Sequence, residues 1–373
     1  VTRALPHIAP RCDTVAVTVL RGRVWRQGRI ASESYPIEDL DQLLADPGVL
    51  VWCDLADPDV GTLEALAEEL ALDPNAVEDA VAEGERVKLS RHANHLFLTT
   101  YAARIDTDAE AVHRSRLVTS QVSVFVLARG LVTVRRGAAF DVAEVVARWD
   151  DDPDLASQGI GGLLHGLLDT IVDGHFETIQ HLDDAIQDLE EALFASDIPP
   201  KGLQERVYRM RRELVDLRRV VLPMREVVAS ILRRRLVMTG AGGMAVAPTD
   251  GNGEPPVDAS VPTRAVLSQL DGWYDDLYDH VLRASEWTES LRDMLASIVE
   301  TNLSLQDARL NTIMKKLAGW AAIIAVPTAV TGWFGQNIPY PGFGTEFGLY
   351  QSVAAIAIGS IGLWLIFKWH DWV

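Results

Sequence analysis

Apolar and polar positions fall into three regimes along the chain. Over residues 14–137, short β-branched runs recur at 15–20, 49–53, 87–89, 96–102, 121–127 and 131–134. Helical patterns lie between them at 60–70 and 74–82, with Asp59 and Asp73 placed as N-caps. From Gly159 the period changes to about 3.6, and two long helices are predicted over 163–194 and 201–236, broken by Pro199-Pro200. The first carries a dense acidic face (Asp169, Asp173, Glu177, Asp183, Asp184, Asp188, Glu190, Glu191) and the second is rich in arginine, so an antiparallel pair with opposite charges facing is expected. Residues 238–260, rich in Gly, Pro and Ala, read as a mobile loop.

The third regime begins after Pro262. No proline interrupts before Pro327, and only Gly272 and Gly319 break the run, which as a helix would be roughly 95 Å long. Leu267, Leu270, Tyr274, Leu277, Val281, Ala284, Thr288, Leu291, Leu295, Ile298, Asn302 and Leu305 alternate at spacings of three and four, a heptad seam that demands helical partners. The run then enters LAGWAAIIAVPTAVTGWF at 317–334, which holds no charge and spans roughly 27 Å, near the thickness of a bilayer core. A second uncharged run covers 347–367, after a short Gly/Pro-rich link at 335–348.

Two such runs form a transmembrane hairpin. Lys315, Lys316, Lys368 and His370 flank its open end while the link carries only Glu346, so the positive-inside rule puts both chain ends in the cytoplasm of a multi-pass protein of the cell membrane. Trp320, Trp333, Tyr340, Tyr350, Trp364, Trp369 and Trp372 supply an interfacial belt. A buried hairpin in a soluble protein is the competing reading, and the length and flanks of the runs weigh against it. Pro327 inside the first span suits a helix surrounded by protein or bordering a water-filled cavity, with the second span facing lipid.

The pattern gives an α+β cytoplasmic domain followed by long helices and two transmembrane α-helices. Its segments are an N-terminal domain at 1–155, a helical hairpin with its loop at 156–260, a stalk helix at 261–316 and the membrane hairpin at 317–373, with spans near 317–335 and 347–367. The formal net charge of -19 over 373 residues excludes a nucleic-acid partner and suits either cation partners or simple solubility. Cys12 and Cys53 are too few for a disulfide framework and read as reduced packing residues. No N-terminal signal segment is seen. With no phosphate loop, HExxH or nucleophile elbow, and with histidines at no metal-ligand spacing, the sequence offers no enzyme chemistry.

One stripe of the long helix stands apart. Glu300, Ser304, Asp307, Asn311, Met314, Leu317, Ala321, Ala325, Thr328 and Gly332 share a face that is acidic and polar before the membrane, small and apolar inside it, and polar again at Thr328. Copies arranged around an axis would line a conduit, with acidic rings attracting cations and the apolar section gating by dewetting. Ordinary close packing of small residues explains the same stripe equally well.

Gly335-Gln336-Asn337, placed after Phe334 and a few residues past Pro327-Thr328, resembles the Gly-Met-Asn signature that ends the first membrane helix of CorA magnesium transporters. The resemblance extends over 75–89 (NAVEDAVAEGERVKL), 212–225 (RELVDLRRVVLPMR), 276–280 (DLYDH) and 311–317. It implies a funnel-shaped homopentamer in the lipid bilayer that conducts Mg2+, with Co2+ or Ni2+ as further cargo, down its electrochemical gradient. It assigns Asn337, with Gly335 and Gln336, to an outer selectivity ring. Asn311, Met314, Leu317, Ala321, Ala325, Thr328 and Gly332 become pore-lining, with Leu317 as gate, and Glu300 and Asp307 form an acidic lower pore. Asp79 and Asp276 are the implied regulatory carboxylates, binding intracellular Mg2+ between subunits. The departure is Gln336 where the family has Met. Altered signatures include zinc transporters, so Zn2+ is the alternative cargo. A membrane-anchored scaffold is the alternative of another class.

Overall fold

The computed structural model describes residues 19–36, 39–106, 116–137, 139–194, 200–233, 238–239, 243–244 and 264–372. Cys12, positions 15–18 of the first expected strand and most of the 238–260 loop lie outside them. The chain divides into two compact units, Val1–Leu295 and Ala296–Val373.

The first unit is built on a seven-stranded sheet. Its strands are β1 (Val19–Arg26), β2 (Arg29–Ser32), β3 (Val49–Ala56), β4 (Lys88–Arg91), β5 (Leu96–Ile105), β6 (Leu117–Val126) and β7 (Gly130–Arg136), in the order β2-β1-β3-β7-β6-β5-β4. Only β3 and β7 run parallel; the other neighbours are antiparallel. Helices α1 (Leu40–Ala45), α2 (Val60–Glu69) and α3 (Pro74–Val81) pack on one face, where Leu40, Leu63, Leu66 and Val77 meet Val51, Cys53, Phe97, Phe125 and Val132. Cys53 is a buried packing thiol, as expected.

The opposite face takes α4 (Val142–Asp151), α5 (Pro153–Ser157), α6 (Ile160–Phe194), α7 (Pro200–Arg233) and the first part of α8 (Arg264–Phe334). There Trp149, Leu163, Leu167, Met224, Val228, Tyr274 and Leu277 meet Trp52, Leu98, Val122 and Val124. A sheet covered on both faces has strands that read as near-continuous apolar runs, which is why β6 and β7 are plain in the sequence. The seam of α8 is buried at Leu270, Tyr274, Leu277, Val281, Ala284, Thr288, Leu291 and Leu295. The side chain of Leu267 is outside the described residues.

Asp59 accepts a hydrogen bond from the Thr62 amide at 2.8 Å and Asp73 accepts one from the Asn75 amide at 2.9 Å, so both expected N-caps form. The charges of α6 and α7 find partners other than each other among the described ion pairs. Arg148 of α4 holds Asp169 and Asp173 of α6, and Arg218 of α7 meets Glu289 of α8 at 3.5 Å.

The second unit holds the remainder of α8 and the helix α9 (Glu346–Trp369), both long and apolar enough to cross a membrane by length and composition. Helix α8 continues through Pro327 to Phe334. Thr331, four residues on, donates its hydroxyl to the Pro327 carbonyl at 2.8 Å. The two spans touch where Gly359 meets Val326: a Cβ on Gly359 would lie 2.8 Å from the Val326 Cγ1. Small residues permit such backbone approach within a bilayer.

Candidate ion path and regulatory carboxylates

In the second unit, α9 covers one side of α8 and leaves the other free. Ala322, Ile323, Val326, Pro327, Val330 and Phe334 are half-buried, whereas Glu300, Asp307, Asn311, Met314, Leu317, Ala321, Ala325, Thr328 and Gly332 are all exposed. Met314 is 69% and Leu317 70% exposed, part of a long run of exposed apolar residues on α8. Within the span the stripe residues Ala321, Ala325, Thr328 and Gly332 therefore lie off the half-buried side, and from Asp307 to Ala318 α8 is exposed all round. The Thr328 hydroxyl donates to the Ile324 carbonyl at 3.2 Å, so its oxygen remains an acceptor on that face.

Gly335, Gln336 and Asn337 sit where α8 stops. Gly335 closes the helix with an amide bond to the Thr331 carbonyl at 2.8 Å, and Gln336 bonds back to the Trp333 carbonyl at 3.3 Å. Gln336 and Asn337 are exposed in the turn that follows. The link is folded, not slack. Tyr340 packs edge-on against Phe334 and Phe343, at 5.0 and 5.3 Å between centroids. Gly342 has φ of +95°, and a Cβ on Gly348 would lie 2.5 Å from the Gly342 carbonyl oxygen. Both positions require glycine, and together they fix the turn after α8 to the start of α9.

The regulatory candidates belong to the first unit, and each carboxylate has its own partner. Asp79, on the last turn of α3, meets the Lys88 ammonium at 2.8 Å, and Lys88 also holds Glu85 at 2.9 Å. Burial acts to lower the Lys88 pKa, but the two carboxylates outweigh it and hold it above the ordinary lysine value. The backbone there is anchored: Gln121 donates its Nε2 to the Asp79 carbonyl at 3.2 Å, and the Tyr101 hydroxyl donates to the Glu85 carbonyl at 2.7 Å. Asp276, 72% exposed in its side chain, faces His280 one turn on at 3.8 Å.

Beside Asp276 the fold assembles a group the sequence did not announce. Asp169, Asp173 and His280 each present a ligand atom within 4.8 Å of the others. Arg148 ion-pairs with both aspartates, so a guanidinium already offsets part of their charge. The one available signal was spacing: the two aspartates are four apart on α6, and His280 is four beyond Asp276 on α8.

The sequence matches the family described as CorA-like Mg2+ transporter protein over residues 47–241 and 265–368. The chain belongs to this family. It is a metal-ion transporter and not an enzyme. Among curated relatives it is 24% identical over 345 residues to the putative metal ion transporter YfjQ of Bacillus subtilis, covering 91% of this chain and 94% of that one. It is 24% identical over 315 residues to the cobalt/magnesium transport protein CorA of Thermotoga maritima, covering 83% and 80%. The complete CorA magnesium transporter structure from Methanocaldococcus jannaschii superposes with a TM-score of 0.69 at 18% identity, over 96% of this chain and 99% of that chain. The CorA fold therefore covers nearly the whole chain: a sheet-based unit, then the long helix α8 and the helix α9, whose apolar stretches place it in a membrane.

Proposed function

We propose that five copies of this CorA-family chain form a channel that passes Mg2+ into the cell, with Co2+ or Ni2+ as further cargo. The observation that carries the reading is the exposed stripe of α8, which turns from acidic at Glu300 and Asp307 to apolar at Leu317, Ala321 and Ala325 and back to polar at Thr328, and which within the span lies outside the half-buried positions. Cyclic symmetry would set one such face per subunit around an axis. The acidic residues then concentrate cations at the inner end, and the apolar layers, Leu317 first among them, close by excluding water.

Asn337, with Gln336 beside it, supplies the outer ring. Mg2+ sheds its water reluctantly, so side-chain carbonyls that accept hydrogen bonds from the hydrated ion suit it, and a neutral ring releases what it binds. With both chain ends in the cytoplasm, an inside-negative potential drives a divalent ion inward by about 4.6 kcal/mol per 100 mV.

Regulation follows from Asp79 and Asp276. Set against each other between neighbouring subunits, two carboxylates repel until an ion joins them. Bound Mg2+ therefore favours the closed ring and its loss releases it. The test is Mg2+ entry into cells or vesicles as internal Mg2+ is raised. Wild type should shut down, while Asp79→Asn and Asp276→Asn should stay open at the same concentration. Variants that shut like wild type remove the sensor from the account. Entry of Zn2+ without Mg2+ gives the protein to the zinc alternative and makes Gln336 the residue to explain.

A further inference from the structure

We infer that Lys88 is a built-in competitor for the regulatory cation, setting the concentration at which Asp79 binds metal, with Glu85 as the acceptor to which it withdraws. The inference rests on the reading of Asp79 as a regulatory ligand. In the single chain the Asp79 Oδ2 is not free: the Lys88 ammonium occupies it at 2.8 Å. The same ammonium lies 2.9 Å from the Glu85 Oε2, so it sits between two carboxylates. A divalent ion approaching Asp79 meets a positive charge at the oxygen it needs, and like charges at this range repel strongly where solvent is partly excluded. Lys88 and Asp79 are 34% and 28% exposed in their side chains, so screening reduces the repulsion without removing it.

The surrounding fold keeps the three groups in register. Lys88 opens β4 and is held in the ladder opposite Thr99 of β5. Gln121 holds the carbonyl of Asp79 and Tyr101 that of Glu85, while the two side chains also bond to each other at 3.1 Å. Arg136 caps the Val81 carbonyl at the end of α3. The carboxylates thus stand on fixed backbone, and the flexible lysine stem is the element able to move. When an ion takes Asp79, Lys88 keeps one carboxylate partner at Glu85 and no charge is stranded. Without Glu85, withdrawal would leave the ammonium unpaired, and Lys88 would hold Asp79 more firmly.

The experiment uses the full-length protein in detergent or nanodiscs, with MgCl2 alone as the probe. The Mg2+ concentration giving half-maximal protection against chymotrypsin is measured for wild type, Lys88→Gln, Lys88→Arg, Glu85→Gln and Asp79→Asn. Chymotrypsin is chosen because it does not cleave at lysine. Lys88→Gln should lower that concentration about threefold to tenfold. Lys88→Arg should stay near wild type, and Glu85→Gln should raise it. A Lys88→Gln midpoint at or above wild type, in a protein of unchanged oligomeric state and circular dichroism, overturns the inference. Should Asp79→Asn abolish the response while neither Lys88→Gln nor Glu85→Gln moves it, the competitor role alone fails. Should Asp79→Asn keep the wild-type midpoint, the reading beneath it fails as well.

Discussion

Asp54 to Asn is the substitution whose consequence the first unit defines best. Asp54 is fully buried in β3 and accepts from the Thr133 hydroxyl at 2.7 Å and from Arg135 Nε and Nη2 at 2.8 and 2.7 Å. Arg135 lies across the parallel β3–β7 ladder, is 13% exposed in its side chain, and donates its Nη1 to the Phe140 carbonyl at 3.0 Å. An amide at position 54 keeps the shape and one acceptor but leaves a desolvated guanidinium without its counter-charge, a loss of about 3–5 kcal/mol. At roughly 2–4 °C per kcal/mol for a domain of this size, the unfolding midpoint should drop by about 6–20 °C.

Thermal unfolding of the full-length protein followed by tryptophan fluorescence reports the site, because the Trp52 indole donates to the same Thr133 hydroxyl at 3.2 Å. Removing both charges in an Asp54→Leu, Arg135→Met variant should recover most of the loss, since the pair's desolvation is then avoided. A midpoint within 2 °C of wild type for Asp54→Asn, or a double variant worse than the single one, would refute the reasoning.

Two further outcomes concern the same unit. His175 is enclosed and its Nε2 donates to the Tyr101 carbonyl at 2.8 Å, and burial lowers its pKa from 6.5 to about 4. The unfolded imidazole takes a proton below about pH 6.5 and the folded one only near 4, so stability falls as pH falls through that window, by up to about 3 kcal/mol. His175→Gln should flatten the dependence of the unfolding midpoint on pH between those values, leaving the part due to His95 and His165, which burial shifts the same way. Gly162→Ala would drive a Cβ into the Leu155 carbonyl oxygen, so α5 and α6 must part, and the variant should lose about 1–3 kcal/mol by denaturant unfolding.

The readable parts of this protein were those where burial is uniform. Strands β5, β6 and β7 are buried on both faces and announce themselves, and the α8 seam keeps its spacing because one side is buried turn after turn. The edge was harder. Strands β1 and β2 join through Gln27 and Gly28, both at positive φ, but Arg21, Arg23 and Arg26 break the apolar pattern. Arg23 is nevertheless buried, because Asp150 of α4 meets it at 2.5 Å, a partner distant in sequence that no local pattern reveals.

The same holds at the candidate sites. The α8 stripe was visible as spacing, and its exposure within the span became visible only once α9 half-buried Ala322, Val326 and Val330 beside it. Asp79 was marked by its motif, yet Lys88 and Glu85 drew no notice, since a charge is unremarkable until the β4 ladder sets it against α3. His280 joins Asp169 and Asp173 to the neighbourhood of Asp276 for the same reason: its meaning is tertiary.

Ion flux through purified protein in liposomes tests the central claim most directly, with Mg2+ supplied outside, an inside-negative potential imposed, and wild type compared with Asn337→Ala. The account predicts potential-driven Mg2+ entry in wild type and its loss in Asn337→Ala while the oligomer stays intact. Intact oligomers that pass no Mg2+, or an Asn337→Ala variant that conducts like wild type, would contradict it.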